Sequence, residues 1–219
     1  MQKHVFHVIS SGKQSLVEAK QIIANIHPYI DAFHLREKQR TARELWEWTQ
    51  TLGKVGLTRE KLIINDRADV ALAAGAVGIQ TAYHSLPAPV MRHLAPSLLL
   101  GVSVHSVEEA KAAEAAGANY VLFGHVFASA SKPGQAGRGL AALREVVEIV
   151  SIPVIALGGI TPENTVEILA TGCTGIAVLS AVMQAKEPVL SVQQFQQAIS
   201  QVRTSPRHVW PTAKTEGSH

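Results

Sequence analysis

The stretch "FHLREKQR", residues 33–40, sets Arg36, Lys38 and Arg40 beside one carboxylate, Glu37, directly after an apolar run. Arg36 and Lys38 share parity, so a strand continuing through them aims both towards one mouth. There they can clamp an anion, the arginine through a bidentate fork. Arg40 lies further out. "IINDRAD", 63–69, offers Asn65 and Asp66, oxygen donors that suit Mg²⁺ or a phosphate and that equally suit capping a helix near Arg67. In "YVLFGHVFASASK", 120–132, an imidazole, His125, stands where the backbone leaves an apolar run. Unperturbed, that ring titrates near pH ~6.5, which suits a general base; the structural alternative is a packed ring bonded to a backbone carbonyl. "ALGGITPEN" and "AVLSAV" supply Gly158, Gly159, Leu179 and Ser180, whose backbone N–H groups can cradle a phosphate, with a short helix opening at Ser180.

These groups need elements to hold them. A short apolar run, a polar or glycine-containing corner and a segment at helical spacing recur eight times. The runs are HVFHVI (4–9), IDAFHL (30–35), KLIIN (61–65), AVGIQ (76–80), SLLLGV (97–102), NYVLF (119–123), IPVIAL (152–157) and GIAVL (175–179). Such runs, rich in Val, Ile and Leu and alternating with helices, predict parallel strands covered on both faces. Eight units without a break in composition predict an α/β chain folded as one (β/α)8 TIM barrel over 1–203, followed by a flexible tail at 204–219. Chemistry in such barrels sits at the carboxyl ends of the strands. Those ends carry Ser10 and Ser11, Arg36 to Lys38, Asn65 and Asp66, Thr81, Ser103 and His105, His125, Gly158 and Gly159, and Leu179 and Ser180.

The helices carry start signals. Ser106 precedes VEEAKAAEAAG, with Glu109 as capping-box partner and Gly117 as a stop, and Thr161-Pro162 reads as another N-cap. Leu45, Trp48 and Leu52 share one helical face and predict packing against the barrel, with Trp46 off that face.

Composition narrows the function. The chain has 219 residues, of which 47% are hydrophobic and 5% aromatic, enough for a full core in one domain. No apolar run approaches the ~20 residues of a membrane helix, and no signal-peptide pattern is read at the N-terminus. One cysteine, Cys173, allows no internal disulfide and sits in a small-residue corner, so a cytoplasmic setting is expected. Of the formal charge of +3, a net +2 comes from Arg203, Arg207 and Lys214 against Glu216 near the end of the chain. That argues against a nucleic-acid face. His4 and His7 lack the cysteine or carboxylate spacing of a zinc site.

With LREK, IINDR, GVSVH, YVLFGHVF, IPVIALGGI and IAVLSAV in one order over residues 4–200, the chain resembles the thiamine phosphate synthase superfamily. The resemblance implies a substrate with a thiazole carrying an ethyl phosphate. Members that make thiamine phosphate use Mg²⁺ and a pyrimidine pyrophosphate. Where their pattern is GVHLGQED, this chain reads "GIQTAYHS", with Ser85 at the closing Asp. Where theirs is FGPVFPTKTK, this chain reads "FGHVFASASK", with His125 for the proline, Ser129 for the threonine and Lys132 kept. The FGHVF histidine resembles the acid/base residue of the sister group, the TenI-type thiazole tautomerases.

That resemblance implies an isomerase that aromatises a phosphorylated carboxythiazole tautomer without metal or organic cofactor. His125 would move the proton, and Arg40 is the second candidate catalytic group, although a guanidinium is a poor donor. Substrate binding is expected from Arg36, Lys38, Asn65, Thr81, Ser103, Ser129, Lys132, Gly158, Gly159, Leu179 and Ser180. No nucleic-acid or membrane partner is expected, and the resemblance implies a homodimer. The alternatives are a Mg²⁺-dependent thiamine phosphate synthase, or a non-catalytic regulatory protein that binds thiazole phosphate.

Overall fold

In the computed structural model, which describes residues 3–128, 134 and 136–211, the chain closes into a single-domain (β/α)8 TIM barrel. The strands are β1 (Val5–Ile9), β2 (Ala32–Leu35), β3 (Leu62–Asn65), β4 (Gly78–Thr81), β5 (Leu99–Val104), β6 (Tyr120–Gly124), β7 (Val154–Leu157) and β8 (Gly175–Val178). Each pairs in parallel with its neighbours in chain order, and β8 returns to β1 with Val5 opposite Gly175. The helices are α1 (Leu16–Ile26), α2 (Ala42–Gly53), α3 (Ala68–Ala74), α4 (Ala88–Leu94), α5 (Val107–Ala115), α6 (Gly139–Ile149), α7 (Thr165–Leu169), α8 (Ser180–Met183) and α9 (Pro188–Ser200). Among the described residues no helix is long and apolar enough to cross a membrane.

The strands are buried on both faces, which is why they read as continuous apolar runs rather than as alternations. Phe6, Val8, Phe33, Leu35, Ile64 and Phe123 belong to the large core between sheet and helices. The alternate residues Val5, Ile9, Ile63, Tyr120, Leu122 and Ile155 pack as a second, smaller cluster inside the barrel. Leu45, Trp48 and Leu52 are buried on α2 and Trp46 is exposed, as the helical spacing predicts.

Local signals settle several helix starts. Ser15 with Glu18 and Thr41 with Glu44 form complete capping boxes at α1 and α2. Ser106 caps α5 through the N–H of Glu109, but the Glu109 carboxylate bonds the N–H of His105 at 2.6 Å. The helix expected from Pro162 begins at Thr165. Asn164 instead turns its Oδ1 back to the N–H of Thr161 at 2.9 Å, closing a turn before the helix.

Beyond α9 the chain crosses the amino-terminal end of the barrel. The carbonyl of Thr204 lies 3.0 Å from Nε2 of His4, the N–H of Arg207 donates to Gly172, and the carbonyl of His208 accepts from Oγ1 of Thr174. Trp210 then sets its ring edge-on against His7 (centroids 4.5 Å apart) and Tyr120 (4.8 Å). Residues 204–211 of the expected tail therefore close the barrel floor, and 212–219 lie outside the described residues.

Candidate active site

The carboxyl ends of β2, β3 and β4 surround a cavity of about 350 Å³ whose lining includes Arg36, Lys38, Arg40, Asn65, Asp66 and His84. The strand stops at Leu35 and the chain turns, with the N–H of Arg40 bonded to the carbonyl of Glu37 at 3.1 Å. The turn, not continued strand parity, brings Arg36, Lys38 and Arg40 to one cavity. Arg40 pairs with Glu44 at 3.2 Å and lies over the ring of Trp48 at 5.6 Å. Arg67, also in the lining, pairs with Asp69. Arg36 and Lys38 form no ion pair among the described residues. Glu37 is buried and accepts from the N–H of Gly12 at 3.2 Å.

Asp66 does not cap α3, whose first turn has no side-chain cap. At φ 61° its backbone turns left-handed and its carboxylate crosses to the segment after β4. Oδ1 accepts from the hydroxyl of Ser85, and Oδ2 lies 3.0 Å from Nε2 of His84. The "YHS" triplet thus reaches the site through Asp66. Tyr83 and His84 both line the cavity, a role the sequence reading did not assign to them.

Beneath the cavity the barrel interior carries polar groups beside its apolar cluster. Asn65 stands opposite Gln80 in the ladder, and Nε2 of Gln80 donates to Oγ of Ser103 at 3.1 Å. Nδ1 of His7 and Nε2 of His34 are 3.0 Å apart. Burial holds both rings neutral, lowering His34 to about 3, while burial and then the neighbouring His34 hold His7 well below its ordinary value. Seven buried side-chain atoms have no hydrogen-bond partner among the described residues, and five of them belong to barrel strands: Asn65 Oδ1, Gln80 Oε1, Tyr120 OH, His7 Nε2 and His34 Nδ1. Each such atom costs ~1–3 kcal/mol when it stays unpaired, so a cluster of them points to an occupant.

Other candidates stand elsewhere. Thr81 spends its hydroxyl on the carbonyl of Gly101 at 3.0 Å, and Gln80 is the β4 residue that bonds Ser103. His105 lines a separate cavity of about 310 Å³ with Phe123, Arg138 and Glu145. His125 is 6% exposed; its Nε2 lies 2.9 Å from the carbonyl of Ala136, while Nδ1 is buried without a partner among the described residues. Ser129 and Lys132, with most of the loop that follows, lie outside the described residues.

Gly158 and Gly159 have positive φ, 101° and 65°. A Cβ on Gly158 would stand 2.4 Å from Cβ of His125, and one on Gly159 would stand 2.6 Å from Cβ of Phe127. Their small size is thus required for the loop after β6 to lie on the β7 corner, where the N–H of Phe127 bonds the carbonyl of Gly158 at 3.0 Å. Leu179 packs against the interior cluster and precedes α8, and its carbonyl accepts from Met183 at 2.8 Å. Cys173 is buried, which pushes its thiol up to about 12 and leaves it unreactive.

Comparison with known proteins gives the lineage. The sequence profile described as thiamine monophosphate synthase matches residues 6–182. The chain belongs to that family. It is 41% identical over 174 residues to the thiamine-phosphate synthase of Pyrococcus furiosus, covering 78% of this chain and 83% of that protein. It is 40% identical over 178 residues to that of Moorella thermoacetica, with the same coverages. A solved thiamine phosphate pyrophosphorylase from Pyrococcus furiosus superposes with a TM-score of 0.80 at 36% identity, covering 93% of this chain and 98% of that one. Relatives of the family at this identity carry the synthase name, and this overturns the expectation of a tautomerase and of an isomerase. That expectation rested on His125 in FGHVF together with Ser85 at the synthase Asp position, and the bond from Nε2 of His125 to Ala136 is the packed alternative that its position also allows.

The family implies Mg²⁺, and the donor set here does not fit a resident divalent ion. The carboxylate of Asp66 is committed to Ser85 and His84, and the second position holds a hydroxyl. Among the described residues no three His, Cys, Asp or Glu side chains gather in a metal-binding geometry. Hard cations take oxygen donors, and one shared carboxylate is a weak offer.

Proposed function

We propose that this chain joins a pyrimidine pyrophosphate to a thiazole bearing an ethyl phosphate, forming thiamine phosphate and releasing pyrophosphate. One observation carries the reading: the cationic cavity of Arg36, Lys38 and Arg40 opens over polar groups of the barrel interior in a chain about 40% identical to thiamine-phosphate synthases. The pyrophosphate belongs with those cations, which favour charge developing on a leaving group. The rings belong above Asn65, Gln80 and Ser103, where the unpartnered acceptors Asn65 Oδ1 and Gln80 Oε1 await donors. The thiazole's phosphate belongs at Gly158, Gly159, Leu179 and Ser180, the usual phosphate corner of this barrel. His125, bonded to Ala136 and packed on Gly158, positions that corner.

The test is incubation of the purified chain with both substrates and chromatographic detection of thiamine phosphate. Product and pyrophosphate in equal amounts are expected. Absence of product with and without Mg²⁺, from a chain that melts cooperatively, would end this reading.

A further inference from the structure

The cavity's lining bears on how a pyrophosphate would be held, and its donor set departs from that of a metal-bridged site. Four cations (Arg36, Lys38, Arg40 and Arg67) face two carboxylates (Glu37 and Asp66) in its lining. Both carboxylates are already engaged by groups of the chain. Glu37 is buried against the N–H of Gly12, and Asp66 holds Ser85 and His84. Arg36 and Lys38, by contrast, keep their charges unpaired among the described residues. An anion bound there meets guanidinium and ammonium groups directly.

We infer that this chain binds pyrophosphate through a metal-free clamp of Arg36 and Lys38, and that Asp66 is a positioning residue, not a metal ligand. Its carboxylate fastens the segment after β4 to the segment after β3 and so sets the far wall of the cavity. Arg36 takes two phosphate oxygens through its fork, Lys38 contributes a point charge, and Arg40 is oriented beside them by Glu44 and Trp48. The inference rests on the proposed transfer reaction only in naming pyrophosphate as the group received.

Binding of inorganic pyrophosphate by calorimetry tests it directly. In EDTA the wild-type chain should bind nearly as tightly as in excess Mg²⁺. Arg36→Gln and Lys38→Gln should each weaken metal-free binding about 10- to 100-fold, the usual worth of a charge-assisted bond. Asp66→Asn keeps an oxygen for Ser85 but loses the charge that holds His84, so as a positioning change it should weaken binding by the same factor in EDTA and in Mg²⁺. Ser85→Asp places a second carboxylate beside Asp66, so its binding should weaken in EDTA and recover with Mg²⁺. Loss of wild-type binding in EDTA by about tenfold or more, restored by Mg²⁺, would overturn the clamp. So would Asp66→Asn weakening binding in Mg²⁺ while leaving binding in EDTA unchanged, the pattern of a metal ligand.

The two readings fail separately. Metal-free pyrophosphate binding without any thiamine phosphate formed keeps the clamp and sinks the transfer reaction. Turnover that stops in EDTA together with pyrophosphate binding keeps the reaction and sinks the clamp.

Discussion

The two ends of this barrel are built on opposite principles. At the carboxyl mouth Arg36 and Lys38 stand without ion pairs among the described residues, and His84 meets Asp66 with 39% of its side chain exposed. At the amino end the chain seals itself. Both ring nitrogens of His4 face carbonyls, of Cys173 and Thr204, and Trp210 lies edge-on against His7 and Tyr120. The mouth leaves charge to be satisfied by something that arrives, whereas the floor packs against its own chain, with only neutral atoms such as His7 Nε2 and Tyr120 OH left unpartnered among the described residues. Changes at the floor should therefore cost stability, and changes at the mouth should cost binding.

Among single substitutions, the largest expected loss of stability comes from inside the barrel. A Cβ on Gly101 would stand 2.1 Å from Cζ of Tyr120, a fully buried ring. Gly101→Ala should therefore cost ~3 kcal/mol, the upper part of the overpacking range, and urea unfolding measures it. A neutral effect would mean that the ring has room to move.

Trp210→Ala removes a half-buried indole from the floor and should cost ~2 kcal/mol, below the value for a fully buried aromatic. Pyrophosphate affinity in the same variant should not change. A fall in affinity with unchanged stability would mean that the floor and the mouth are coupled.

Acid probes the His7–His34 pair. An unfolded imidazole takes up a proton below pH ~6.5, and the buried rings resist one, so unfolding consumes protons and stability falls as the pH drops. The decline should run from about pH 6.5 down to about 3, the value of folded His34, at ~1.4 kcal/mol per pH unit for each ring while only its unfolded form is protonated. Denaturant midpoints at pH 7, 6 and 5 measure the slope, and His34→Gln should flatten it. An unchanged slope in that variant would place the acid sensitivity elsewhere.

The smallest stability effect belongs to the mouth. His84→Gln breaks an exposed pair with Asp66 and should cost no more than ~1 kcal/mol, with a melting temperature close to that of wild type. A loss as large as that of Trp210→Ala would erase the contrast between the two ends.

Much of this molecule is legible from local pattern. Apolar runs separated by helical spacing specify eight strand-helix units, because each unit must bury both faces of its strand. Capping at Ser106 and the buried face of Leu45, Trp48 and Leu52 follow from spacings of three to seven residues. The rule that chemistry gathers at strand carboxyl ends led to Arg36, Lys38, Asn65 and Asp66, four groups that line one cavity.

Partnership was not legible. Asp66 reads equally as a cap, a ligand or an anchor, and only barrel closure brings Ser85 and His84, nearly twenty positions along the chain, against its carboxylate. His125 reads as a base until the fold sets the carbonyl of Ala136 before its ring. The prolines and small polar residues after α9 read as a loose tail, yet the barrel floor offers His7, Tyr120 and free carbonyls to receive part of it. By itself the sequence determined which elements form and which ends carry polar groups, since those depend on short-range periodicity and burial. Only the tertiary structure decided which group meets which, because a hydrogen bond needs its partner within about 3 Å, and closure of the barrel sets such distances between segments far apart in the chain.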